Sequence, residues 1–104
     1  MKRKNNSVYK KQKKTRKRTK DKTNLVYFYM DGCGYCNEFS ETLWPKIKKL
    51  RNINTYKVNG PNNPMLTDKL NVVSYPTLIR IDNNNNYKVF QNKRTLNNIK
   101  KFLN

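Results

Sequence analysis

The sequence predicts a small α/β domain: a four-stranded mixed sheet flanked by three helices and preceded by a disordered basic arm. Strand-length runs of β-branched and aromatic residues alternate with segments whose apolar residues recur at helical spacing. The resulting order, β-α-β-α-β-β-α, demands one parallel crossover followed by an antiparallel hairpin. An abrupt change of composition near residue 22 separates arm from domain. With the strands lettered A to D in chain order, the predicted order in space is B-A-C-D.

Of the 104 residues, the first 22 hold 12 Lys/Arg, a single acid (Asp21) and almost no apolar side chains. Such a segment buries too little apolar surface to offset its ordering entropy, so residues 1–22 are expected to be a disordered arm. Residues 23–104 carry the other 12 bases against Asp31, Glu38, Glu41, Asp68 and Asp82, within a net charge of +18. They form one domain, small but adequate for a single core.

Strand A is expected over Asn24–Met30, where Leu25-Val26-Tyr27-Phe28-Tyr29-Met30 is an unbroken apolar run. Helix 1 follows from Cys33 to Arg51, with Phe39, Leu43, Ile47 and Leu50 on the face that also holds Cys36. Pro45 lies inside it, removes a backbone donor and crowds the carbonyl of Glu41, so a kink is expected. Strand B is Ile53–Val58, followed by the turn-forming run Asn59-Gly60-Pro61-Asn62-Asn63. Helix 2, Pro64–Leu70, has proline in its first turn, where the missing donor is harmless. Strand C is Thr77–Ile81. Asp82 and the asparagines 83–86 make a hairpin loop into strand D, Tyr87–Gln91. Helix 3 begins near Thr95 with Leu96, Ile99, Phe102 and Leu103 on one face. The high asparagine and lysine content is what an AT-rich coding bias produces, so part of the composition carries no structural message.

The chemistry centres on the only two cysteines, Cys33 and Cys36, placed where strand A turns into helix 1. A helix N-terminus stabilises a nearby thiolate, the form in which sulfur attacks. Cys33 is expected exposed at the strand end and Cys36 one turn deeper, close enough to close a disulfide. Chance would place two cysteines three apart in roughly 2% of chains of this length, so the strand–helix context carries the weight. A structural pair remains the bland alternative. A zinc site needs about four ligands, and one CxxC without histidine leaves it half built. The pair is therefore read as a redox dithiol.

Three segments make residues 24–104 resemble a thioredoxin-like domain. They are the strand–CxxC–helix unit from Leu25 to Leu50, the stretch Lys69-Leu70-Asn71-Val72-Val73-Ser74-Tyr75-Pro76-Thr77-Leu78, and Asn92-Lys93-Arg94-Thr95 opening the last helix. The extra N-terminal strand and helix of full thioredoxin are missing, which leaves a minimal, glutaredoxin-sized core. The resemblance implies a thiol–disulfide oxidoreductase acting on protein dithiols and disulfides. Cys33 would be the attacking thiolate and Cys36 the resolving thiol. Pro76 would be a cis-proline facing the sulfurs, and the Tyr75 backbone would pair with a substrate peptide. Gly34 and Tyr35, between the sulfurs, would contact substrate and tune the potential; a Gly-Tyr pair occurs in bacterial disulfide isomerases.

This chain also departs from that pattern. Tyr27 stands where thioredoxins place a buried acid, and a phenol with a pKa near 10 is a poor base. Lys57 matches a family lysine and offers partial proton-transfer support. Asp31-Gly32 replaces the tryptophan usual before the first cysteine, and Asp31 would oppose thiolate formation if close. Gln91-Asn92-Lys93 lacks the Gly-Gly pair with which glutaredoxins hold glutathione, so no cofactor is expected and the partners are proteins. The direction of electron flow is open.

The arm, residues 2–20, is dense enough in charge to bind nucleic acid or another polyanion without reading sequence. If it neutralised about ten phosphates, affinity would fall roughly 10⁵-fold for a fourfold rise in salt. A basic nucleic-acid-binding or virion-associated protein with a structural thioredoxin-like module is thus the alternative function. No apolar stretch suits an export signal or a membrane span, so a cytoplasmic or nuclear setting is expected. Asn5-Asn6-Ser7 then matches a glycosylation acceptor only by chance. Asn/Lys-rich chains of this type with basic tails also resemble those of giant DNA viruses.

Overall fold

A computed structural model describes residues 23–104; the expected arm and its polyanion contact at residues 2–20 lie outside the described residues. The apolar run of the sequence becomes β1 (Thr23–Tyr29), and Leu25, Val26, Tyr27 and Phe28 are all buried because the strand is central and covered on both faces. Its neighbours are β2 (Ile53–Asn59), parallel to it with Tyr27 opposite Lys57, and β3 (Thr77–Ile81), antiparallel with Tyr27 opposite Leu78. β4 (Tyr87–Val89) pairs antiparallel with β3 and completes the sheet in the order β2-β1-β3-β4, as the sequence predicts.

Helix 1 of the sequence reading is two helices, α1 (Gly34–Thr42) and α2 (Trp44–Ile47). Pro45 cannot donate to the carbonyl of Glu41, so the break falls just before it, at Leu43. There the proline takes a first-turn position in a new helix. Leu43 still donates to Phe39 O at 3.1 Å and accepts from Ile47 N at 3.0 Å, so the two pieces remain nearly continuous. α3 (Pro64–Lys69) and α4 (Leu96–Leu103) follow, the latter capped by Thr95 Oγ1, which accepts from Asn98 N at 3.1 Å. β4 ends at Val89 rather than Gln91, although Phe90 N still donates to Leu78 O at 2.9 Å.

Alternation along β1 sends Leu25 and Tyr27 to one face and Val26 and Phe28 to the other. The first face packs on Phe39, Trp44 and Ile47 from α1 and α2 and on Ile99 and Leu103 from α4. The second packs on Leu70 and Val72, which follow α3. Each fully buried side chain of this size contributes about 1.5–3 kcal/mol, and the larger cluster lies directly beneath the cysteine-bearing helix. No helix among the described residues is long and apolar enough to cross a membrane.

Candidate active site

Between β1 and α1 the chain reverses through Gly32, whose φ of +78° is in the left-handed region that favours glycine. That turn delivers Cys33 to the N-cap of α1 in extended backbone geometry. A cap residue offers an acceptor to the first free N–H groups of its helix. Here the acceptor is sulfur: Cys33 Sγ accepts from Cys36 N at 3.2 Å. Both cysteines are free, Cys33 half-buried and Cys36 only 1% exposed.

The two thiols are driven apart electrostatically. The Cys36 side chain hydrogen-bonds the Cys33 sulfur and lowers its pKa, helped by the backbone N–H groups of Cys36 and Tyr35 and by the charge of Arg94, against a smaller opposing effect of desolvation. Cys36 is pushed up, first by burial and then by holding its proton toward Cys33. The Cys33 thiol thus gives up its proton more readily than its buried neighbour.

Opposite Cys33 lies the segment before β3. The Tyr75-Pro76 peptide bond is cis, and the Cys33 thiol donates to Tyr75 O at 3.8 Å. Thr77 Oγ1 donates to Ser74 O at 2.6 Å and pins this segment from below. Above the sulfurs the surface is open: a side chain added at Gly32 or Gly34 would meet nothing within 4 Å. Tyr35, between the two cysteines, is 69% exposed, and Val73, two residues before Tyr75, is 91% exposed. Beside them runs an open groove of about 360 Å³ between α1 (Tyr35, Glu38, Thr42) and the Asn92-Lys93-Arg94 segment.

The other residues singled out in the sequence take distinct places. Tyr27 is fully buried beneath α1; its hydroxyl donates to Cys36 O at 2.9 Å and shares a hydrogen bond with Ser40 Oγ at 2.8 Å. Burial raises the Tyr27 pKa further, so it fastens the helix and offers no base. Lys57 places its ammonium over the rings of Tyr29 and Tyr27, 4.7 and 5.9 Å from their centroids, and no hydrogen bond among the described residues joins it to either sulfur. The Asp31 carboxylate accepts from Asn59 Nδ2 at 3.3 Å. Arg94, quoted above only as part of a helix opening, lies in the loop before α4, where its charge favours the Cys33 thiolate. Its signal in the sequence was a cation within a segment already matched to the family. Among the described residues no group of three or more His, Cys, Asp or Glu gathers to hold a metal.

Residues 4–104 match the thioredoxin family model. The chain belongs to the thioredoxin family. Among solved structures, this thioredoxin-family chain is similar to the first thioredoxin domain of mouse protein disulfide-isomerase A4. The identity there is 26% and the TM-score 0.67, over 78% of this chain and 60% of that one. The J-Trx1 fragment of ERdj5 matches at 24% identity and a TM-score of 0.68, over 78% of this chain but only 39% of its own length. A point mutant of thioredoxin from Halobacterium salinarum shares the fold at 18% identity and a TM-score of 0.68, over 80% and 73% of the two chains. The chain therefore spans less than two thirds of the first two structures it matches. No curated protein sequence matches it.

Proposed function

We propose that this thioredoxin-family chain exchanges disulfides with protein substrates through Cys33 and Cys36. The observation that carries the reading is the asymmetry of the pair. An N-cap sulfur with a lowered pKa stands 3.2 Å from the backbone N–H of a buried partner whose pKa is raised.

In the reducing direction, the Cys33 thiolate attacks one sulfur of a substrate disulfide. The new bond forms as the old one breaks, and the second substrate sulfur leaves as a thiolate that takes a proton from water. Cys36 then gives up its proton and attacks Cys33. A Cys33–Cys36 disulfide forms and the first substrate sulfur departs, so the substrate gains two electrons and the protein loses two. Run backwards, the same steps oxidise a substrate dithiol. No cofactor enters the chemistry. Gly34 and Tyr35 present the open approach to Cys33, and the Tyr75-Pro76 segment offers the backbone edge that a substrate peptide lies against. The proposed setting is the cytoplasm or nucleus, where the dithiol begins reduced.

The test is a Cys36→Ser variant, which keeps the attacking sulfur and removes the one that releases product. It should accumulate mixed disulfides with cellular proteins that a reductant cleaves, while Cys33→Ser captures none. Failure of Cys36→Ser to form any adduct would exclude the reading. Cellular activity that survives Cys33→Ser but is lost on deletion of residues 2–22 would favour the binding-module alternative instead.

A further inference from the structure

The loop from Asn59 to Asn63 has the composition of an ordinary turn, yet its glycine is not there for conformational freedom. Gly60 is buried, and its backbone lies outside the left-handed region. What it lacks is room, since a Cβ at this position would overlap the ring and hydroxyl of Tyr75. The Tyr75 ring therefore lies directly on the Gly60 backbone, and it also packs against the cluster of Val26, Phe28, Leu70, Val72 and Ile79. Gly60 is in turn fixed to the strand that leads into the cysteines, because its N–H donates to Tyr29 O at 2.8 Å.

Asn59 secures the other side. Its Nδ2 donates to the Asp31 carboxylate at 3.3 Å, its Oδ1 accepts from Asn62 N at 3.1 Å, and its carbonyl accepts from Asn63 Nδ2 at 2.8 Å. One short loop thus grips the turn before Cys33 through Asp31 and seats the residue facing Cys33 through the Tyr75 ring. Both grips converge on the gap between Cys33 Sγ and Tyr75 O, 3.8 Å wide.

We infer that the Asn59–Asn63 loop is a brace that sets this gap, and that Gly60 is its positioning residue for peptide substrates. The inference rests on the proposed exchange through Cys33. A peptide disulfide must lay its backbone along residue 75 as its sulfur reaches Cys33. A small disulfide without a peptide backbone needs only the sulfur. Filling the space above Gly60 pushes the Tyr75 ring outward and lifts its carbonyl, which damages the first reaction and spares the second.

The experiment compares wild type, Gly60→Ala, Tyr75→Val and the double variant, each assayed with a disulfide-bonded peptide and with hydroxyethyl disulfide. Gly60→Ala should raise the peptide KM about tenfold and change the rate with the small disulfide less than about twofold. In the Tyr75→Val background, where no ring overhangs residue 60, the same substitution should change the peptide KM less than about twofold, so the two sites couple strongly. Equal costs of Gly60→Ala in both backgrounds, or equal losses on both substrates, would overturn the inference while leaving the dithiol reading intact. A wild-type protein inert toward both disulfides would overturn the dithiol reading and this inference with it.

Discussion

On one face of the sheet Tyr27, Phe39 and Trp44 stand ring against ring, with centroids 4.7 to 6.2 Å apart, whereas the opposite face carries Val26, Phe28 and Ile79 beneath Leu70 and Val72. The first is a deep aromatic core shared by three helices and two strands. The second is shallow, and α3 itself contributes no buried residue to it. The difference maps onto the two sides of the site. Cys33 and Cys36 ride on the helix fastened to the deep face, while Tyr75 and its carbonyl rest on the shallow one. The Cys33 sulfur is held by bulk hydrophobic burial beneath its helix, and the group facing it by a glycine contact and a few loop hydrogen bonds.

The largest expected effect comes from opening the deep face. Trp44→Ala should lower unfolding stability in urea by about 3–5 kcal/mol, because a large buried side chain leaves a cavity that its neighbours only partly fill. Leu70→Ala on the shallow face should cost about 2–3 kcal/mol, the lower end of the range for such truncations. Equal costs for the two would erase the distinction between the faces. Tyr27→Phe keeps the ring packing but strips Cys36 O and Ser40 Oγ of their hydroxyl partner. It should cost about 1–2 kcal/mol in the same unfolding assay. The smallest effect is electrostatic. Arg94→Gln removes a positive charge that favours the Cys33 thiolate, so the midpoint of its alkylation with pH should move up. Stability should stay unchanged, and a midpoint that stays put would remove Arg94 from the site.

Much of this architecture was legible because its determinants are local. The central strand showed as an unbroken apolar run, and the hairpin from β3 to β4 showed as Asp82 followed by asparagines. In the structure Asp82 Oδ1 does accept from Asn84 N and Asn86 N, at 2.9 and 3.0 Å. The dithiol was legible for the same reason: a cap position and a first turn lie within four residues. Pro45 announced only a kink in one long helix, not that α1 would end at Thr42 and the chain restart at once with the proline in a new first turn.

What escaped the sequence depends on contacts between distant segments. Gly60 looked like a turn former, and only the packing of residue 75 against it reveals the requirement. Arg94 has no meaning for Cys33 until the loop before α4 is folded beside α1. Asparagine content, discounted above as coding bias, proves partly structural. Asn52, Asn71 and Asn85 adopt φ of 63°, 58° and 64°, so in a chain with three glycines they take up left-handed positions that glycine would otherwise fill.

Arg80 sits on β3, yet its guanidinium reaches across to the last turn of α4, where Nη1 donates to Phe102 O at 2.7 Å and the charge lies 5.5 Å from the Phe102 ring centroid. Terminal carbonyls of a helix have no partner within it, and a cation there satisfies one of them and complements the helix dipole. The clasp ties the last turn of α4 to the strand that starts one residue after Pro76. Fraying of the last turn of α4 would therefore be felt along β3 toward the cysteine pair, so this clasp couples the end of α4 to a candidate site built far away from it in the chain.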